Sequence, residues 1–145
     1  MTGDHRELAD HRELVELYAR YTHAFDENRA DDLAALFTDD GEFLRPGAPP
    51  VSGAEALAAM VRASAARGTG NRHLVSAVVV DVSSDAGTGR AYVQVVSVTD
   101  DGVRPVAFGR YDDAFTRDGG RWRIRARRFT PFTGPGPPSE RSAGR

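Results

Sequence analysis

Two residues of this sequence are best suited to moving a proton: a histidine at the mouth of a β-rich run and an aspartate at the end of a long helix. His73 lies in GTGNRHLVSAVVVDV, where a glycine-rich turn signal runs into β-branched residues. Strand alternation puts its ring on the face of Val75, Ala77 and Val79, so it follows an apolar surface. An imidazole there is a natural general acid or base at neutral pH. A strand-end histidine bonded only to water or a loop is the bland alternative. Asp26, in AFDENRADD, directly follows the apolar register that ends at Phe25. It can lie at the edge of a buried face and orient a histidine or act as base, although acids at a helix exit are also at home in water. His23 is within helical reach of Asp26 and is read as a surface group.

A second set of side chains accompanies these two. Tyr92 and Gln94 share one strand face, and on a concave face they would donate to a carbonyl or hydroxyl. Arg128 falls in register with Trp122, Ile124 and Ala126, which puts it at a rim or a pocket mouth. Tyr18, Phe25, Met60 and Trp122 serve equally well as pocket wall or as core.

Helices and strands must position these groups. Leu14, Tyr18, Tyr21 and Phe25 fall at helical spacing and mark one face of a first helix. DDLAALF reads as a short second helix with Asp31 as N-cap, and SGAEALAAMVRASAARG as a third that starts near Ser52. After Gly70 come four β-rich runs, roughly 72–82, 89–99, 104–117 and 121–130, separated by the hairpin signals SSDAGTG, DDG and DGG. The pattern predicts an α+β domain: three helices, a short extra strand among them, then a four-strand antiparallel meander. We place the domain at 5–130 and read the Pro- and Gly-rich 131–145 as a disordered tail. The run 73–82 is apolar on both faces, yet helices cover one, which predicts a homodimer or higher homo-oligomer through the other, convex sheet face.

The chain has 145 residues, a net charge of −2, 19 arginines and no lysine or cysteine. No disulfide or thiolate metal site is available. Four scattered histidines with no HxH or HExxH spacing argue against a metal, and no phosphate loop or GxSxG elbow is present. The arginine row at 121, 123, 125 and 127 lacks interleaved aromatics in an acidic chain, so no nucleic acid is expected. The charged N-terminus and the lack of a long apolar run predict a cytoplasmic protein that does not cross a membrane.

Taken in order, YARYTHAFDENRADDLAALFTDDGEF, SGAEALAAM, NRHLVSAVVVD and GRYDDAFTRDGGRWRIRARR resemble the SnoaL-like branch of the nuclear transport factor 2-like superfamily over about residues 7–130. The resemblance implies a cone of curved antiparallel sheet, a half-barrel closed by three N-terminal helices around an apolar pocket. It implies pocket roles for Asp26 and His73, matching the dehydratase-like members. The chain departs from that subset in having Tyr92 and Gln94 where a second histidine stands, Phe25 where a tyrosine precedes the aspartate, and Ala77 where relatives carry asparagine. The implied activity is a cofactor-independent lyase or isomerase on a small apolar oxygenated molecule, polyketide- or terpenoid-like. In it Asp26 holds His73, and Tyr92 or water stabilises an oxyanion. A non-catalytic binding or assembly domain is the second reading. Epoxide hydrolysis by an Asp–Arg–Asp set including Asp26 and Arg128 is the third.

Overall fold

A computed structural model describes residues 2–133. Three helices, α1 (Thr2–Asp26), α2 (Ala30–Ala35) and α3 (Ala54–Ala66), pack with six strands: β1 (Phe37–Leu44), β2 (Val51–Ser52), β3 (Asn71–Ser83), β4 (Ala86–Thr99), β5 (Gly102–Asp118) and β6 (Arg121–Pro131). The expected α+β order holds, and the four long strands fall where the β-rich runs lie. Most of the expected tail, from residue 134 onward, lies outside the described residues.

The strands form one curved, unclosed sheet in the order β2-β1-β6-β5-β4-β3. Its meander is antiparallel, and the β5–β6 turn is Gly119–Gly120, both at positive φ as a tight hairpin requires. The sheet is mixed rather than wholly antiparallel, because β1 joins it beside β6 in parallel. Two expected helix starts also differ. Arg29, not Asp31, precedes α2, and Asp31 sits in its first turn, while Gly53 at φ 85° precedes α3 and Ser52 pairs in β2.

Bulges bend this sheet, and they decide which side chains face inward. In β3 the pairing shifts between Ser76 and Val79, with Ala77 at φ 53°. His73 and Val75 therefore face the core, but beyond the bulge Val78, Val80 and Val82 do, and Val79 is exposed. The expected single face His73–Val75–Ala77–Val79 is thus broken. In β6, Phe115 pairs Ile124 and Ala114 pairs Ala126, which leaves Arg125 as an extra residue. Trp122 and Ile124 point inward before it, and Arg127 does after it.

The core lies between the concave face and α1, α2 and α3. Leu14, Leu17, Tyr18, Tyr21 and Ala24 of α1 meet Phe37, Leu57, Val61, Val93, Tyr111, Phe115 and Ile124. The helix stops after Asp26 because Asn28 turns into the left-handed region (φ 54°) and the Arg29 amide donates back to the Ala24 carbonyl at 2.8 Å. That stop leaves Asp26 on the last helical turn, facing the start of β3.

Candidate functional site

Asp26 and His73, 47 residues apart in the chain, meet at this junction. The His73 ring nitrogen Nδ1 lies 2.6 Å from Asp26 Oδ1, and the His73 backbone N–H donates to Asp26 Oδ2 at 3.0 Å. One carboxylate thus holds one residue at two points, which fixes both the strand mouth and the ring. A carboxylate only accepts, so the proton of the short contact belongs to Nδ1, and in the neutral ring Nε2 carries the lone pair. Nε2 has no hydrogen-bond partner among the described residues. The two side chains are 11% and 10% exposed, dry enough to strengthen the pair yet open to a ligand.

Phe25 packs its ring on His73, with centroids 4.8 Å apart. Val75 follows on the same strand face, and Val95 is directly opposite His73 in register. All three are only partly buried against the core. Next to the imidazole, then, the inner wall is apolar and only partly buried. His23 lies on the surface 3.6 Å from Glu27, as read from its helical position.

The remaining expected residues are dispersed. Tyr92 and Gln94 alternate with buried Ala91 and Val93, so they point to the outer face of the sheet. There Tyr92 packs against Phe108 and Phe132, and it cannot serve an oxyanion beside His73. Arg128 is likewise turned outward, because the Arg125 bulge hands the inward position to Arg127. That removes the Arg128–Asp26 epoxide-hydrolase set. Trp122 is buried at the other end of the core: its indole N–H donates to Asp10 at 3.0 Å, about 24 Å of helix from Asp26 at 1.5 Å per residue. Tyr18 is buried against Phe115 and Arg127 rather than the dyad, and Met60 is partly buried against the core from α3.

One polar feature of the interior escaped the sequence reading. Arg127 forms a two-point ion pair with Asp113, at 2.7 and 3.0 Å, with neither side chain exposed. Its guanidinium carbon lies 4.2 Å from the Tyr111 ring centre, 4.3 Å from Tyr21 and 4.8 Å from Tyr18. Burial opposes the Arg127 charge, but Asp113 beside it, with Tyr111 and Tyr21, raises its pKa further above the usual arginine range. The signal was in β5: Tyr111, Asp113 and Phe115 alternate on one face, and an acid among aromatics needs a cation.

A groove of about 450 Å³ lies on the outer face, lined by Leu44, Val79, Arg90, Asp112 and Arg128 among others, and touches neither Asp26 nor His73. Among the described residues no group of three or more His, Cys, Asp or Glu could hold a metal. No helix among them is long and apolar enough to cross a membrane.

The model of the SnoaL-like domain matches residues 6–128. This chain belongs to the SnoaL-like family. Solved structures agree on the cone. An NTF2-like protein with a cystatin-like fold from Novosphingobium aromaticivorans is 26% identical with a TM-score of 0.86, covering 92% of this chain and 88% of its own. A variant of Rv3472, a function-unknown protein from Mycobacterium tuberculosis, is 31% identical with a TM-score of 0.77, covering 83% and 70%. A protein from Catenulispora acidiphila, solved in complex with S-DNPA, is 27% identical with a TM-score of 0.77, covering 86% and 94%. Among curated proteins none matches the sequence. The SnoaL-like chain thus shares its fold with a protein solved in complex with S-DNPA.

Proposed function

We propose that this SnoaL-like protein is a cofactor-independent lyase or isomerase (a dehydratase, isomerase or cyclase) acting on a small apolar oxygenated molecule such as a polyketide- or terpenoid-like compound. The two-point grip of Asp26 on His73 carries this reading. It leaves Nε2 free to act as a base beside the apolar side chains of Phe25, Val75 and Val95. Nε2 takes a proton next to a substrate carbonyl, and Asp26 stabilises the imidazolium. The same nitrogen then returns the proton to carbon or to a departing hydroxyl. With Tyr92 turned away, water is the donor for the developing oxyanion. General acid–base help of this kind accelerates a reaction about 10²–10⁴-fold.

The test is deuterium uptake from heavy water at the α-carbon of a panel of cyclic ketones and β-hydroxyketones. The parent exchanges it, and His73→Ala loses most of that exchange while keeping its fold. Full exchange in the variant rules the mechanism out. Ligand binding without turnover is the second reading. It is favoured by Tyr92 and Gln94 facing away, which leaves the dyad without the second donor expected for it. Saturable binding of the same ketones, with no exchange in the parent, would establish that reading.

The proposal extends to assembly. Leu74, Tyr92, Phe108 and Phe132 are each more than two-fifths exposed on the outer face, and the three aromatic rings pack within 6.1 Å of one another. A second copy of the chain covers that surface in a two-fold dimer.

A further inference from the structure

Two rows of paired residues cross the concave face at the dyad's end of the sheet. His73 pairs Val95, and Val95 pairs Ala107. One row further out, Asn71 pairs Ser97, and Ser97 pairs Arg104. Alternation on β4 turns Val95 and Ser97 to the same side. The Ser97 hydroxyl donates to the Thr69 carbonyl, in the loop that leads from α3 into β3. In β5 the register shifts between Val95 and Val96, which leaves Val106 as an extra residue. That bulge gives Arg104 the inward side of Ala107, and without it Arg104 would face outward.

Burial falls toward this end of the cone. Val93 is buried, Val95 and Ala107 are half-buried, and Arg104 is exposed. With strands about 4.8 Å apart and a rise of about 3.4 Å per residue, the Cα atoms of His73 and Arg104 stand about 12 Å apart. An extended arginine side chain can cover more than half of that distance. Arg110, the next arginine along β5, is held by Asp112 at 2.8 Å, whereas Arg104 has no hydrogen bond or ion pair among the described residues. Edge protection does not account for it. The β5–β6 ladder ends at Gly109, so 102–107 form an open edge, but Pro105 and the Val106 bulge already spoil that edge for pairing.

We propose that Arg104 binds a carboxylate at the far end of the substrate, so that the molecule brought to His73 is an apolar keto acid. The inference rests on the dyad reading given above and refines its substrate. The apolar body lies over Val95 and Ala107, with its reacting carbon at Nε2. The guanidinium offers two parallel N–H donors to the carboxylate oxygens. One unpaired arginine suits a single negative charge, and a phosphate monoester would be left half neutralised. Because Arg104 is exposed, the carboxylate keeps part of its water while the body enters the drier end. A dimer through the outer face leaves this inner side open.

The experiment compares ω-benzoylalkanoic acids with their methyl esters on the full chain. Linkers of about three to six methylenes sample the span set by the strand spacing. Deuterium uptake next to the ketone gives kcat/KM for each compound, and calorimetry gives its binding. The parent is expected to favour at least one acid over its ester tenfold or more, chiefly through KM, with the preference shrinking as salt rises. Arg104→Gln brings acid and ester within twofold of each other, and Arg104→Lys retains part of the preference. An acid-to-ester ratio under twofold in the parent, failure of every acid where the esters exchange, or a preference unmoved by Arg104→Gln overturns the carboxylate site and leaves the dyad standing. An Arg104-dependent preference for the acids in binding, with no exchange of any compound, supports the site and overturns His73 as base.

Discussion

Arg127 and Asp113 stand directly opposite each other on β6 and β5, and the guanidinium holds both carboxylate oxygens where neither side chain meets solvent. Such a pair gains Coulomb energy and loses hydration, so its net worth is small while the cost of breaking it is large. Arg127→Met alone is expected to destabilise the fold by about 3–5 kcal/mol, since it leaves Asp113 charged among aromatics. Arg127→Met with Asp113→Leu should recover most of that loss. Urea unfolding at constant m checks both, and a loss under about 1 kcal/mol in the single variant would contradict the account.

The tyrosines around this pair make stability fall at alkaline pH. Burial pushes the Tyr111 phenol up to about 12, with Arg127 opposing and Asp113 and Asp26 adding to the rise. Tyr21 and Tyr18 are raised too, chiefly by burial. A raised folded pKa means that the fold holds the proton more tightly than the unfolded chain, whose tyrosines ionise near about 10. The contribution is therefore complete below pH 10 and is lost as pH climbs from 10 through 12. Each such tyrosine contributes a slope of roughly 1.4 kcal/mol per pH unit in that window. Urea midpoints between pH 9 and 12 measure it, and Tyr111→Phe should make the decline shallower.

Both arguments turn on the Arg127–Asp113 pair, which the sequence hid, and the reason is physical. The helices, the hairpins and the strand runs were legible because apolar period and turn chemistry are local. Facing was not, because one bulge inverts everything after it. Ala77 adopts φ 53° with no glycine to announce it, and Arg125 drops out of register within a regular alternation of arginines with apolar residues. The alternation from Trp122 therefore selected Arg128 for the inside, where Arg127 stands. Tyr92 and Gln94 failed differently. Either face of β4 could have been concave, and the smaller Ala91 and Val93 took the inside. The family resemblance paired Asp26 with His73, and their facing could be read because each sits before any bulge can intervene, one at a helix end and the other two residues into β3.

The outer face offers its own measurement. Sedimentation or light scattering at micromolar concentration should report a dimer. Phe108→Asp, at the centre of the exposed aromatic group, should shift it toward monomer without loss of secondary structure. A monomeric parent at that concentration would refute the second-copy proposal.

Replacing Asp26 by asparagine tests the dyad without changing its shape. The carboxylate accepts from two donors of His73, the ring Nδ1–H and the backbone N–H. An amide has only one acceptor oxygen, and its NH₂ group must face the other site. The backbone N–H cannot give up its proton, so the amide oxygen stays there and the NH₂ donates to Nδ1. That arrangement forces the ring proton onto Nε2, which abolishes the lone pair proposed to act as base. Asp26→Asn is thus expected to lower turnover by about 10²–10⁴-fold with little change in stability. ¹⁵N shifts of the His73 ring should invert, the protonated nitrogen moving from Nδ1 to Nε2. Parent-like turnover with the tautomer inverted would show that Nε2 is not the base.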